Sequence, residues 1–125
     1  MLLSNADIDG SELATEAHII RRKMKRFADV EASEKESKAK KLRNRVDQFE
    51  CKINSLAKSM KLLHRKEGKT AQSAGDIVQR GKEIVQSCRQ FVENCQQQPI
   101  VEPSLVTRLE SLEADADQLT AAHVA

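Results

Sequence analysis

The sequence contains no tryptophan and no tyrosine, and only three of its 125 residues are phenylalanine. Large aromatic side chains supply much of the buried area of a globular core, so this chain has little material for such a core. A long helix needs only a narrow apolar stripe, and its other faces can be charged. The 32% content of charged residues, with four glycines and two prolines, therefore predicts an all-α protein built on long helices.

The sequence also lacks a long apolar run. No stretch reaches the roughly 18 consecutive apolar residues of a membrane-spanning helix, and the apolar start at residues 1–3 turns polar at once. We therefore expect a soluble, intracellular protein without a transmembrane segment, located in the cytoplasm or alternatively in the nucleus.

Cysteines are few and poorly placed for disulfides or metal sites. Cys51, Cys88 and Cys95 form no CxxC pair. Cys88 and Cys95 would be about 10.5 Å apart along a helix, beyond the roughly 7 Å reach of a disulfide. We expect them to be reduced and to serve as small core residues rather than metal ligands, with Cys51 on an outward face.

Apolar residues recur with alternating spacings of four and three in the middle of the chain. The members of this series are Leu42, Val46, Phe49, Ile53, Leu56, Met60 and Leu63. This is a heptad pattern sustained for three repeats, and β-branched residues at a with leucine at d favour a parallel two-stranded coiled coil. The pattern predicts a stripe that binds a partner helix.

The same register continues without a skip into the second half of the chain. Its further members in the predicted partner-binding stripe are Ile77, Ile84, Cys88, Phe91 and Cys95. One uninterrupted helix would preserve this phase, whereas Gly68 and Gly75 each cost about 1 kcal/mol in a helix relative to alanine. We predict a coiled-coil helix over about residues 11–97, and the alternative of a break near residues 67–75 stays open.

Val78, Val85 and Val92 add a third apolar row to that second half. Three rows are wider than a two-stranded seam requires, so this segment is expected to contact more than one helix, as in a helical bundle.

Two shorter stripes flank the central one. Leu13, Ala17, Ile20, Met24 and Phe27 precede it, one residue out of phase, and Leu105, Leu109, Leu112, Ala116 and Leu119 follow it. We expect residues 29–41 to continue the helix as a solvated connector, residues 98–103 to form a turn that contains Pro99 and Pro103, and residues 104–122 to form a short, acidic third helix. Residues 1–10 are expected to be a disordered tail, and residues 123–125 a second tail.

Residues 5–16 match part of the spacing of an EF-hand calcium loop. The matching residues are Asn5, Asp7, Asp9, Gly10 and Glu16. However, Glu12 stands where such loops carry an apolar residue, and Asp9 with Glu12 equally forms a helix capping box. We prefer the capping box, and we predict no metal and no cofactor.

The basic residues are concentrated between positions 21 and 69, although the net charge is only +2. The candidate anion-binding residues are Arg21, Arg22, Lys23, Lys38, Lys40, Lys41, Arg43 and Arg45. Such helix faces bind nucleic acid, microtubules or anionic membranes by charge alone, but a coiled coil also needs charged outward faces to stay in solution. We favour the solvated face and keep anion binding as the alternative.

Catalytic chemistry finds no support in the sequence. The three histidines are scattered, and no glycine-rich phosphate loop is present. We therefore predict a non-enzymatic coiled-coil scaffold or adaptor subunit, assembled with partner helices as a homo- or hetero-oligomer. Complexes of this kind act in vesicle tethering or lysosome positioning, in kinetochore or spindle assembly, and in transcription coactivation. The alternative is a basic helical protein that binds nucleic acid, microtubules or anionic membrane through residues 21–45.

Overall fold

The computed structural model of the chain describes residues 10–27, 29, 32–64, 68–94 and 103–124. Those residues form four α-helices and no strand, which confirms the predicted all-α class. The helices are α1 (Gly10–Phe27), α2 (Ala32–His64), α3 (Gly68–Asn94) and α4 (Pro103–Val124).

The helices pack in a ring, because α1 and α3 each contact both α2 and α4. Interhelical contacts show how neighbours run: Gly75 of α3 lies beside Met60 of α2, and Gly81 lies beside Ile53. Residue numbers rise along α3 as they fall along α2, so the two helices are antiparallel.

The other neighbouring helices are antiparallel as well. Gly10, at the start of α1, lies against Ala116 in the second half of α4, whereas Arg21 reaches Glu110 nearer the start of α4. Arg80 of α3 pairs with Asp115 of α4, whereas Ser87, further along α3, accepts a hydrogen bond from Arg108, which is earlier in α4. Ion pairs between Glu12 and Lys52 and between Glu16 and Arg45 give the same relation for α1 and α2. The chain therefore forms an up-down-up-down four-helix bundle.

The single long helix predicted for residues 11–97 is not confirmed. One helix ends at Phe27 and the next begins at Ala32, and a further boundary lies between His64 and Gly68, just before the break considered at residues 67–75. The predicted third helix is the fourth helix of the bundle. The shared phase of the two central stripes does not reflect one helix, since each of α2 and α3 carries its own buried face.

Four apolar stripes, one from each helix, meet in one core. The buried residues of the α1 and α4 stripes are Leu13, Ala17, Ile20, Met24, Phe27, Leu105, Leu109, Leu112, Ala116 and Leu119. The α2 and α3 stripes bury Leu42, Val46, Phe49, Ile53, Leu56, Ala74, Ile77, Ile84 and Cys88. Each fully buried aliphatic side chain contributes about 1.5–3 kcal/mol, so many aliphatic residues replace the missing aromatic ones.

The width of the α3 face fits its place in the bundle. Val78, Val85 and Val92 are buried together with the main α3 stripe, and α3 contacts two neighbouring helices. Phe91 is half-buried, and its ring meets that of Phe27 edge to face with centroids 5.6 Å apart. This contact joins α1 to the diagonally opposite helix at one end of the core.

Candidate anion-binding cleft

A surface groove with a volume of about 580 Å³ lies between α1 and α2. Two interhelical ion pairs cross it: Lys52 with Glu12 at 3.3 Å, and Arg45 with Glu16 at 3.0 Å. Its charges are thus engaged in holding the two helices together. Within the described residues, no three His, Cys, Asp or Glu side chains are grouped to hold a metal ion.

A second cleft between the same helices has a different character. Its volume is about 170 Å³, and the described side chains that line it are Lys23, Arg26, Lys38 and Lys41. The first two come from the second half of α1 and the other two from the first half of α2. Two basic runs that are separate in the sequence therefore meet at one place.

The register of the core explains why these four cations converge. Each directly precedes a buried core residue: Met24, Phe27, Ala39 or Leu42. On each helix the two cations are three residues apart, a spacing that places side chains on the same face. Burial of the core residues therefore fixes both basic pairs at the edge of the α1–α2 interface, where the two antiparallel helices bring them together.

None of the four cleft cations forms an ion pair with a carboxylate among the described residues. Elsewhere in the bundle, five cations near helix interfaces do have acidic partners. These pairs are Arg21 with Glu110 and Glu113, Arg45 with Glu16, Lys52 with Glu12, Arg80 with Asp115, and Arg89 with Asp47 and Glu50. Among the described residues, the cleft thus concentrates positive charge that no ion pair neutralises.

Lys23 shows the effect of that concentration on its own ionisation. Burial lowers its pKa below the ordinary lysine value, and the nearby positive charges of Arg45, Lys41 and Arg26 lower it further. Glu16 acts in the opposite direction but does not cancel these effects. The charged form of Lys23 is therefore less favourable in the folded protein than in water.

The structure separates the predicted anion-binding residues into groups. Lys23, Lys38 and Lys41 line the cleft. Arg21 and Arg45 are ion-paired with acids of α4 and α1. The remaining three are Arg43, which lies next to Arg89 on the side towards α3, and Arg22 and Lys40, which are exposed.

Arg26 is a cleft residue that the predicted set does not include. It lies within the basic run of residues 21–26, and it shares the three-residue spacing and the position before a buried residue with the other three. That combination of spacing and core register is the signal that identifies it.

The predicted partner-binding stripe lies largely inside the bundle. Its described residues are buried except Met60 and Phe91, which are partly buried and pack against the core. Leu63 and Cys95 lie outside the residues whose side chains the structure describes, as do Asp9 and the earlier part of the EF-hand match. Binding of a partner chain by this stripe stays an untested prediction.

The described cysteines differ in exposure. Cys51 is exposed on α2, whereas Cys88 is a free, fully buried thiol of α3. Burial raises the pKa of Cys88 to about 12, although the positive charge of Arg108 acts in the opposite direction. Cys88 is therefore a packing residue with a thiol that does not ionise near neutral pH.

Comparison with known proteins adds no assignment, because no family model, no curated protein and no solved structure matches the chain. Among the helices described, none has both the length and the apolar character required to cross a bilayer.

Proposed function

We propose that this protein is a non-enzymatic helical binding module that docks on an anionic partner through the cleft formed by Lys23, Arg26, Lys38 and Lys41. The observation that carries the proposal is the convergence of four cations that have no acidic partner among the described residues, whereas Arg45, Arg80 and Arg89 at other helix interfaces are ion-paired.

The bundle gives this charge cluster a defined geometry before binding. Both helices are anchored by buried residues next to the cations, so a ligand does not have to order the backbone. Cations near an anionic surface contribute roughly 1 kcal/mol each, so four of them would supply about 4 kcal/mol, or nearly a thousandfold in affinity. Such binding weakens as salt concentration rises.

The scaffold or adaptor function stays a separate prediction. Its main support was an apolar stripe available to a partner helix, and that stripe supports the chain's own core. A scaffold role would therefore use the outer surface of the closed bundle. The expected location in the cytoplasm or nucleus is compatible with either function and is likewise a proposal.

A charge-reversal experiment tests the proposed function. The variant Lys38→Glu/Lys41→Glu inverts two cleft cations, and the matched variant Lys58→Glu/Lys61→Glu inverts two exposed lysines with the same spacing on the same helix. Retention on a heparin column measures the salt concentration that releases each protein, and circular dichroism checks that each is folded.

We expect the cleft variant to be released at clearly lower salt than the wild type, and the control variant to lie much closer to the wild type. Equal losses in the two variants would show that only net charge matters. That result would overturn the assignment of binding to the cleft.

A further inference from the structure

We infer that the cleft formed by Lys23, Arg26, Lys38 and Lys41 binds a phosphomonoester group carried by a small, multiply phosphorylated ligand. This inference rests on the proposed function and specifies the chemistry of the anion. It depends on the size of the cleft, the number and type of its cations, and the distribution of charge over the rest of the bundle.

The size of the cleft favours one compact group over a whole ligand. Its volume of about 170 Å³ is below the roughly 300–1,000 Å³ of pockets that enclose drug-sized molecules. Two of its lining residues, Arg26 and Lys41, are exposed, so the cleft opens to solvent. A single phosphate group can therefore enter while the remainder of the ligand stays outside.

The charge of the cleft favours a dianion over a monoanion. A phosphomonoester carries about −1.5 to −2 charges near pH 7 and has three free oxygen atoms, whereas a carboxylate or a phosphodiester carries one charge. Three ammonium groups and one guanidinium group supply many N–H donors and no acceptor. The three free oxygens of a phosphomonoester can accept hydrogen bonds from both helices at once.

The lowered pKa of Lys23 also favours a dianionic ligand. Burial and three neighbouring cations disfavour its ammonium form, and Glu16 supplies little compensation. A dianion within the cleft would introduce the negative charge that the folded protein lacks there. Further phosphate groups on the ligand would reach exposed cations on the same stretch of α1, such as Arg22 and Lys25.

Nucleic acid is disfavoured by the rest of the molecule. A duplex requires an extended row of cations along its backbone, and single strands are usually held by aromatic side chains that stack on bases. The chain contains no tryptophan or tyrosine, and two of its phenylalanines, Phe27 and Phe49, are buried. The exposed acids Glu110 and Asp117 of α4 would also repel a polyanion lying along the bundle.

Calorimetric titration of the full chain with inositol hexakisphosphate tests the inference. Dimethyl phosphate serves as the phosphodiester control, and sodium sulfate at equal ionic strength measures the effect of general screening. The cleft variant is Lys23→Gln/Arg26→Gln, and its matched control is Lys58→Gln/Lys61→Gln on an exposed part of α2.

We expect saturable binding of inositol hexakisphosphate at one site, with negligible heat from dimethyl phosphate. Loss of two charge-assisted contacts should weaken binding by at least about tenfold in the cleft variant, and the control variant should bind nearly as the wild type does. Equal binding by the two variants, or an effect that sulfate reproduces, would overturn the inference.

Two further arms identify the source of the phosphate and separate this inference from the proposed function. Tighter binding to vesicles with phosphatidylinositol phosphates than to phosphatidylserine vesicles of equal charge would support a lipid headgroup, and equal binding with retained hexakisphosphate affinity would support a free ligand. Tighter, cleft-dependent binding of duplex DNA would overturn the phosphomonoester inference but retain the proposed function. If, in addition, the cleft variant and its control lost heparin retention equally, both the inference and the proposed function would be removed.

Discussion

Gly81 of α3 faces Ile53 of α2 so closely that a Cβ atom at Gly81 would lie 2.7 Å from Cδ1 of Ile53 and 3.1 Å from its Cγ1. Carbon atoms in favourable contact are about 3.5–4.0 Å apart, so the absence of a side chain is required for this approach. Ile53 is fully buried. The central apolar stripe is thus filled at this level by a helix of the same chain.

Substitution of Gly81 tests this intramolecular packing. We expect Gly81→Val to lower the free energy of unfolding by about 1–3 kcal/mol, because the branched side chain overlaps Ile53. Urea unfolding followed by circular dichroism measures the change. The double variant Gly81→Val/Ile53→Val removes the terminal methyl group that is most overlapped, and it should lose less than the sum of its single changes.

Additive losses in this cycle would contradict the contact. Ile53→Val alone should cost about 0.5–1.5 kcal/mol, which sets the scale for the comparison.

The sequence predicts which faces of the helices are apolar, but not what covers them. Spacings of four and three arise equally in a coiled coil and in a bundle, so they place Leu42, Ile53 and Leu56 on a buried face without showing what covers it. Helices of the same chain cover that face in the structure, and its binding of another chain stays a prediction. The one-residue phase shift between the stripe that ends at Phe27 and the stripe that begins at Leu42 indicates that α1 and α2 are separate helices, but no such shift marks the boundary between α2 and α3.

The same limit applies to the candidate site. The basic runs indicate Lys23, Lys38 and Lys41, but Arg45 appears equivalent to them in the sequence. Its partner Glu16 is 29 positions away, and only the antiparallel packing of α1 and α2 brings the two together. Ion pairing between distant segments depends on tertiary structure, so it separates structural cations from unpaired ones only after the fold is known.

The Arg45–Glu16 pair should be important for stability. Glu16 has a side chain only 7% exposed, so Arg45→Met leaves a carboxylate buried without its partner. We expect a loss of about 1–3 kcal/mol in the free energy of unfolding. Lys52→Met, which removes an ion-pair partner of the more exposed Glu12, should cost about 1 kcal/mol or less.

Replacement of both members of the buried pair provides the complementary measurement. Glu16→Leu/Arg45→Met should recover much of the stability lost in Arg45→Met, since apolar residues often replace a buried ion pair without loss. Equal destabilisation by Arg45→Met and Lys52→Met would show that burial of Glu16 has little effect.

Lys23 should make stability depend on pH in the alkaline range. Its folded-state pKa is lowered from 10.5, so at neutral pH the folded state carries an unfavourable charge. As pH rises, Lys23 loses its proton at a lower pH in the folded chain than in the unfolded chain. The contribution of Lys23 to the free energy of unfolding therefore increases between the lowered pKa and pH 10.5. We expect Lys23→Met to be more stable than the wild type at neutral pH, with an advantage that shrinks as pH approaches 10.5.

Denaturant unfolding at several pH values measures this difference. Lys58→Met, which changes an exposed lysine outside the cleft, serves as a control for the exchange of lysine by methionine. An advantage of Lys23→Met that grows with pH would contradict the assigned direction of the Lys23 pKa.

The two described cysteines should differ in reactivity. In a Cys95→Ser background, we expect iodoacetamide to modify Cys51 in the native protein and Cys88 only after denaturation. Cys88 is fully buried with a pKa of about 12, so its thiolate fraction near pH 7 is on the order of 10⁻⁵. Mass spectrometry of the modified peptides measures both rates, and similar native rates would show that α3 is not packed as described.

The last prediction separates a closed bundle from a seam between chains. Because one chain buries all four of its stripes, the purified protein should be a folded monomer of 14.0 kDa with a melting temperature that does not depend on concentration. Light scattering and thermal unfolding at several concentrations measure these properties. Ile53→Asp/Leu56→Asp places two charges in the core and should unfold this monomer, whereas Ser55→Asp/Lys58→Asp changes exposed positions of the same helix and should leave it folded. A dimeric mass, or a melting temperature that rises with concentration, would instead support the scaffold in which this stripe binds a partner chain.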